Sequence, residues 1–297
     1  EDIAMILDLA RSFKDINDRP IKKLPTLRGR TVVNLFLEPS TRTRTSFEIA
    51  AKRLSADAVN MSGSASSTVK GESLVDTAQT LSAMNCDIVV IRHKLAGAPY
   101  VLAQNMTAHI INGGDGKHQH PTQTLLDLFT IREHFGGFSG LKVGIIGDIS
   151  HSRVAGSLAP ALTSLGAEVT FVAPATLMPA RPDVLGAQKS YVLTDDLLAS
   201  FDVVYMLRIQ LERIEGAPLP SLREYAMLYG IDARRLALLK KDAIIMHPGP
   251  VNRGVEMTSE VVDGSRALIL YQVNAGVAVR MALMYALLGG DSDGTAA

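Results

Sequence analysis

Residues 31 to 54 constrain this chain more than any other stretch. Thr31-Val32-Val33-Asn34-Leu35-Phe36 is apolar and β-branched, which predicts a strand. Pro39 biases Glu38 away from helical backbone, and Ser40 follows as a good N-cap. Phe47, Ala50, Ala51 and Leu54 then recur at helical spacing. The run Ser40-Thr41-Arg42-Thr43 therefore sits where a strand hands over to a helix. Free backbone N–H groups and the positive end of the helix dipole make such a place an anion site. Hydroxyls at 40, 41 and 43 and the guanidinium at 42 add donors of the kind a phosphate accepts. Arg44 and Glu48, four residues apart, read instead as an ordinary surface pair.

Other strand ends repeat the theme. Cys86–His93 predicts a buried strand closing on Arg92, and ligands of open α/β sheets sit beyond the carboxyl ends of strands. Ile110-Ile111-Asn112 predicts a short strand. After a glycine-rich turn, Pro121 suits a first helical position, placing His120 at the cap and Gln123 two residues inside. Lys142–Gly147, a helix through Val154, Leu158, Leu162 and Leu165, and Glu168–Ala173 form a β-α-β unit. Its glycines, Gly144 and Gly147, do not make G-x-G-x-x-G, and no acidic residue closes the second strand, which argues against a nicotinamide dehydrogenase. Arg153 lies at the helix start of that unit. Asp202–Arg208 is a further strand ending in arginine, and the long loop after it has the character of a lid. Ala243–Met246 leads into His247-Pro248-Gly249-Pro250, whose prolines leave carbonyls unopposed by N–H groups.

The remaining sequence is less specific. Asn60–Glu72 is small, polar and glycine-containing, and its composition alone favours a surface loop. Residues 174 to 200 read as a loop-rich excursion. Val273, Val277, Met281, Met284 and Leu288 predict an amphipathic final helix. With 297 residues, two domains are expected. Thirty basic residues balance thirty acidic ones, so no general basic field for nucleic acid exists. A single cysteine, Cys86, excludes an internal disulfide and fits a reducing compartment. No apolar run reaches a membrane span, and Glu1-Asp2-Ile3-Ala4 does not look like a signal peptide. The expectation is a cytoplasmic α/β protein without a metal or other cofactor.

Ser40-Thr41-Arg42-Thr43-Arg44 followed by Ser46-Phe47-Glu48 resembles the carbamoyl-phosphate site of the aspartate and ornithine carbamoyltransferases. His120-Pro121-Thr122-Gln123, Arg153, Arg208 with Gln210, and His247-Pro248-Gly249-Pro250 extend the resemblance over nearly the whole chain. It implies two α/β domains with mainly parallel sheets flanked by helices. Residues 1–136 would bind carbamoyl phosphate and residues 137–273 aspartate, with a C-terminal helix, 274–297, returning to the first domain.

The resemblance also implies roles. Ser40, Thr41, Arg42, Thr43 and Arg92 would hold the phosphate, joined by Ser66 and Lys70 from a neighbouring subunit. Arg42, Thr43 and His120 would donate to the carbamoyl oxygen, with Lys70 also catalytic and touching aspartate. Gln123 and the carbonyls of Pro248 and Gly249 would hold the carbamoyl NH2. Arg153 would take the α-carboxylate of L-aspartate, and Arg208 with Gln210 its β-carboxylate. Glu38 would pair with Arg213 and Arg153 on domain closure. The reaction implied is carbamoyl transfer to the amine of L-aspartate, in pyrimidine synthesis, by a homotrimer with shared sites. Regulatory or dihydroorotase subunits are possible partners; nucleic acid and membrane are not. Two alternatives stand beside it. Ornithine carbamoyltransferase carries a His-Cys-Leu-Pro motif where this chain has His247-Pro248-Gly249-Pro250, and must hold an ammonium where this chain puts Arg208. An idle carbamoyltransferase-like scaffold would not need every matched position filled.

Overall fold

The computed structural model describes residues 1–62, 72–210 and 221–289. Ser66, Lys70 and Arg213 lie outside the described residues. The chain divides into two compact units, Glu1–Phe129 with Asn274–Ala297, and Thr130–Val273.

The first unit begins with helix α1 (Asp2–Lys14), then β1 (Thr31–Phe36), α2 (Thr41–Arg53), β2 (Asp57–Ser62), α3 (Leu74–Ala83), β3 (Ile88–His93), α4 (Ala98–Asn105), β4 (His109–Asp115) and the start of α5 (Pro121–Phe135). Its sheet is parallel throughout, ordered β2-β1-β3-β4. Val33, Leu35, Val89 and Ile91 pack on Ala78 and Leu81 of α3 and Leu102 of α4. Val32 to Phe36 are all buried, which is why β1 reads as a continuous apolar run rather than an alternating one.

Asn60 to Ser62, expected in a loop, are the end of β2. This is an edge strand with no buried residue, so it lacks the continuous apolar signature of a central strand.

The second unit holds β5 (Lys142–Ile146), α6 (Arg153–Ser164), β6 (Glu168–Val172), β7 (Gln188–Ser190), α7 (Asp195–Ser200), β8 (Val203–Met206), α8 (Leu222–Tyr229), α9 (Ala233–Leu238), β9 (Ile244–Met246) and α10 (Ser259–Val262). Its sheet is also parallel, ordered β7-β6-β5-β8-β9. The excursion at 174–200 carries two short 3-10 turns, β7 and α7, each too brief to leave a periodic signal. A Cβ on Gly144 would lie 2.4 Å from the Phe201 ring, and Gly147 has φ +130° with the Leu207 carbonyl 2.7 Å from where its Cβ would be. Close packing, not a bound pyrophosphate, accounts for both glycines.

The last helix, α11 (Ile269–Leu288), enters the first unit at Asn274. It is not the amphipathic helix expected. Val273 is half exposed, while Ala275, Ala278, Val279, Arg280, Met281, Ala282 and Met284 are all buried, so apolar residues surround it on most sides. Phe13 of α1 packs edge-on against Tyr285 with ring centroids 5.7 Å apart.

Candidate active site

Each sheet has one place where chain order reverses. In the first unit β1 is followed by β2 on one side and β3 on the other, so the switch lies between the ends of β1 and β3. Open α/β sheets bind ligands there. Phe36 pairs with Arg92 in register, and the Leu37 and Glu38 N–H groups both donate to the Arg92 carbonyl, at 2.9 and 3.2 Å. The Ser40–Thr43 run thus opens α2 beside Arg92.

Ser40 is the N-cap of α2, in extended backbone, but its hydroxyl makes no capping hydrogen bond to the helix. A side chain of the preferred capping type is placed there without being used to cap. Thr41 and Arg42 are exposed in the first turn, and Thr43 is buried. Arg92 Nη2 lies 3.4 Å from Glu38 Oε1, and its Nη1 donates to the Gly113 carbonyl at 3.3 Å. Further down α2, Glu48 pairs with Lys52 at 2.6 Å, not with Arg44 as expected; Arg44 adds only a weaker attraction. Glutamate four residues before lysine is the favoured order on a helix.

β4 ends on Asp115, whose carboxylate organises the approach to α5. It accepts from Gly97 N at 2.9 Å, Asn112 Nδ2 at 2.9 Å and Gln119 N at 3.1 Å, and lies 3.1 Å from His118 Nδ1. Burial raises its pKa, but the hydrogen bonds from Asn112, Gly97 and His118 outweigh that and leave it below the usual range. This knot delivers His120, buried, immediately before Pro121 at the first position of α5. The Gln123 and Thr124 N–H groups close the first turn on the His120 carbonyl. Gln123 Nε2 donates to Asp127 Oδ1 at 3.0 Å, one turn on.

In the second unit the switch lies between the ends of β5 and β8, and the predicted carboxylate ligands are there. Arg153 begins α6 and is buried, with Ser152 capping through the Ala155 N–H. Arg208 and Gln210 follow β8, partly exposed. Gln210 Nε2 donates to the His151 carbonyl at 3.2 Å, and His151 Nδ1 lies 2.7 Å from the fully buried Asp148.

Sequence reasoning missed Glu256. Its carboxylate, fully buried, accepts from Ile209 N at 3.0 Å, Asn252 N at 2.6 Å and Asn252 Nδ2 at 2.8 Å. Burial pushes its pKa up, although these N–H groups and the charge of Arg208 oppose the shift. Glu256 ties the Arg208–Gln210 segment to the residues following His247. Gly249 N–H donates to His247 Nδ1 at 2.7 Å, which leaves the imidazole proton on Nε2, 3.9 Å from Glu256. Pro248 and Gly249 are partly exposed; Gly249 has φ +65° and a cis bond to Pro250.

Among the described residues, no group of His, Cys, Asp and Glu side chains is placed to hold a metal ion, and no helix is long and apolar enough to cross a membrane.

Two doubly wound parallel units, each with cations and hydrogen-bond donors at its switch point, define a binder of small anionic metabolites. Residues 1–133 match the carbamoyl-phosphate-binding domain of the aspartate/ornithine carbamoyltransferases, and residues 139–287 match their Asp/Orn-binding domain. The chain belongs to the aspartate/ornithine carbamoyltransferase family. It is 58% identical over 291 residues to the aspartate carbamoyltransferase catalytic subunit of Syntrophotalea carbinolica, covering 98% of this chain and 93% of that one. The corresponding subunit of Acidothermus cellulolyticus is 57% identical over 290 residues, covering 98% and 90%. Aspartate transcarbamoylase from Trypanosoma cruzi, solved with carbamoyl aspartate and phosphate, superposes with a TM-score of 0.87 at 35% identity, covering 96% of this chain and 91% of that one.

Proposed function

We propose that this chain transfers the carbamoyl group of carbamoyl phosphate to the amine of L-aspartate, giving N-carbamoyl-L-aspartate and phosphate. The observation that carries this reading is the pair of arginines, Arg153 and Arg208, at the switch point of the second unit. Two guanidiniums suit two carboxylates, and neither would hold the side-chain ammonium of ornithine.

Residues 1–136 with 274–297 form the carbamoyl-phosphate domain and residues 137–273 the aspartate domain. Ser40, Thr41, Arg42, Thr43 and Arg92 bind the phosphate, assisted by Ser66 and Lys70 of a neighbouring chain in a homotrimer. Arg42, Thr43 and His120 donate to the carbamoyl oxygen. Gln123 and the carbonyls of Pro248 and Gly249 accept from the NH2. Arg153 takes the α-carboxylate of aspartate; Arg208 and Gln210 take the β-carboxylate.

The amine attacks the carbamoyl carbon, the carbonyl oxygen gains charge, the bond to the phosphate oxygen breaks without a covalent enzyme intermediate, and the amine's proton leaves with the phosphate. Donors placed for that oxyanion contribute about 3 kcal/mol each to the barrier reduction. The site acts in the cytoplasm, where pyrimidine synthesis consumes the product.

The deciding experiment supplies purified protein with carbamoyl phosphate and either L-aspartate or L-ornithine. Carbamoyl aspartate should form and citrulline should not. Citrulline as the main product, or no turnover with either amine, would remove the assignment.

A further inference from the structure

Gln123 could in principle present either end of its amide to a ligand. Its environment decides which. The side chain sits 3.0 Å from Asp127 Oδ1, and Asp127 is fully buried. An ionised carboxylate only accepts, so the NH2 of Gln123 must face Asp127 and its carbonyl oxygen must face away. A buried carboxylate needs a nearby positive charge to remain an anion.

That charge comes from Arg280 on α11. Arg280 is buried, and desolvation pushes its pKa down to about 10, a fall that the charge of Asp127 opposes. At neutral pH it is still a cation. Its Nη1 donates to Ser46 Oγ of α2 at 2.8 Å, and its guanidinium lies 4.9 Å from the centroid of the Phe47 ring. Gly276, one turn earlier, makes room: a Cβ there would come within 2.5 Å of Arg280 Nη1.

We propose that Asp127, paired electrostatically with Arg280, is a positioning residue that fixes the Gln123 amide and so makes the site selective for an NH2 beside the transferred carbonyl. The inference rests on the function proposed above. A carbamoyl group offers two N–H donors where an acetyl group offers a methyl. Gln123 Oε1, turned outward, accepts from the first and is left unpaired by the second. Sites that hydrogen-bond a substrate N–H reject the analogue lacking it, because their own polar group is stranded. Without Asp127 the amide can present its NH2 instead, and the preference disappears.

The test compares carbamoyl phosphate with acetyl phosphate. For wild type, Asp127→Asn, and the exchanged pair Gln123→Glu/Asp127→Asn, the measurements are kcat/KM for carbamoyl phosphate with aspartate and the inhibition constant of acetyl phosphate. Far-UV circular dichroism checks folding. Asp127→Asn should lose about tenfold or more in kcat/KM for carbamoyl phosphate while its affinity for acetyl phosphate changes less than about threefold. The exchanged pair keeps one negative charge near Arg280 and an outward acceptor, so it should keep the wild-type preference even if Asp127→Asn alone does not fold.

A folded Asp127→Asn enzyme with unchanged preference, or equal losses for both compounds, overturns the inference. So does a folded exchanged pair that is inactive, or active but indifferent to the NH2. Wild type that fails to turn over carbamoyl phosphate and aspartate overturns the functional reading itself.

Discussion

Replacing Gly144 by alanine should destabilise the second unit by about 2 kcal/mol, despite adding only a methyl group. The new Cβ would fall 2.4, 2.5 and 2.8 Å from Cε2, Cδ2 and Cζ of Phe201. Carbon atoms prefer about 3.5–4.0 Å, so the ring must retreat by about 1 Å. Neither side yields easily. Gly144 is paired to Thr170 and Val204 in the centre of the sheet, and Phe201 is only 2% exposed. Burying the methyl contributes about 0.8 kcal/mol, and the stiffer unfolded chain about 0.4–1 kcal/mol. Those gains presume a strain-free fit; overpacking in a filled core costs a net amount of about 1–3 kcal/mol. In thermal melts followed by circular dichroism, the midpoint should fall by about 4–8 °C. Phe201→Leu removes the ring, so Gly144→Ala should cost at least about 1 kcal/mol less in that background. A Gly144→Ala protein as stable as wild type, or strictly additive costs in the double variant, would refute the packing account of this glycine.

Two further outcomes are expected. Lys70→Ala and Arg42→Ala chains, each nearly inactive alone, should regain turnover after dissociation and mixing if the proposed site takes Lys70 from one chain and Arg42 from another; no recovery after confirmed chain exchange excludes sharing. Asp115 has its folded pKa held below the ordinary value near 3.8, so its contribution to stability is present above that value and is lost as pH falls through the lower, folded one. Asp115→Asn should therefore be less stable at pH 7 by about 1–3 kcal/mol, and its urea midpoint should fall less than that of wild type between pH 5 and 3. Parallel loss in both proteins would place the acid sensitivity elsewhere.

The central strands and the helix starts were legible because they depend on neighbours in sequence. Thr31–Phe36 is β1 to the residue, and Pro121 opens α5 where its ring geometry favours it. Periodicity failed where exposure changed its meaning: β2 is an edge strand with no buried residue, and α11 is enclosed instead of lying on a surface. Arg44–Glu48 was a fair expectation that Lys52, also four residues from Glu48, outcompetes. The supports behind the candidate ligands were not legible. Glu256 reaches Ile209 across 47 residues and Arg280 reaches Ser46 across 234, and no local pattern announces a partner so far away.

The first unit is written in two pieces, residues up to Phe129 and residues from Asn274. A ribosome adding about 5–20 residues per second needs on the order of 10–30 s to pass from one to the other. Throughout that interval the second unit is being completed, while the nascent first unit still lacks Arg280, the guanidinium that lies over Phe47 and is coupled to Asp127. A chain stalled or cut before Asn274 would leave the apolar surface that α11 covers open to chaperones and proteases. The unit that emerges first is thus the one that finishes last.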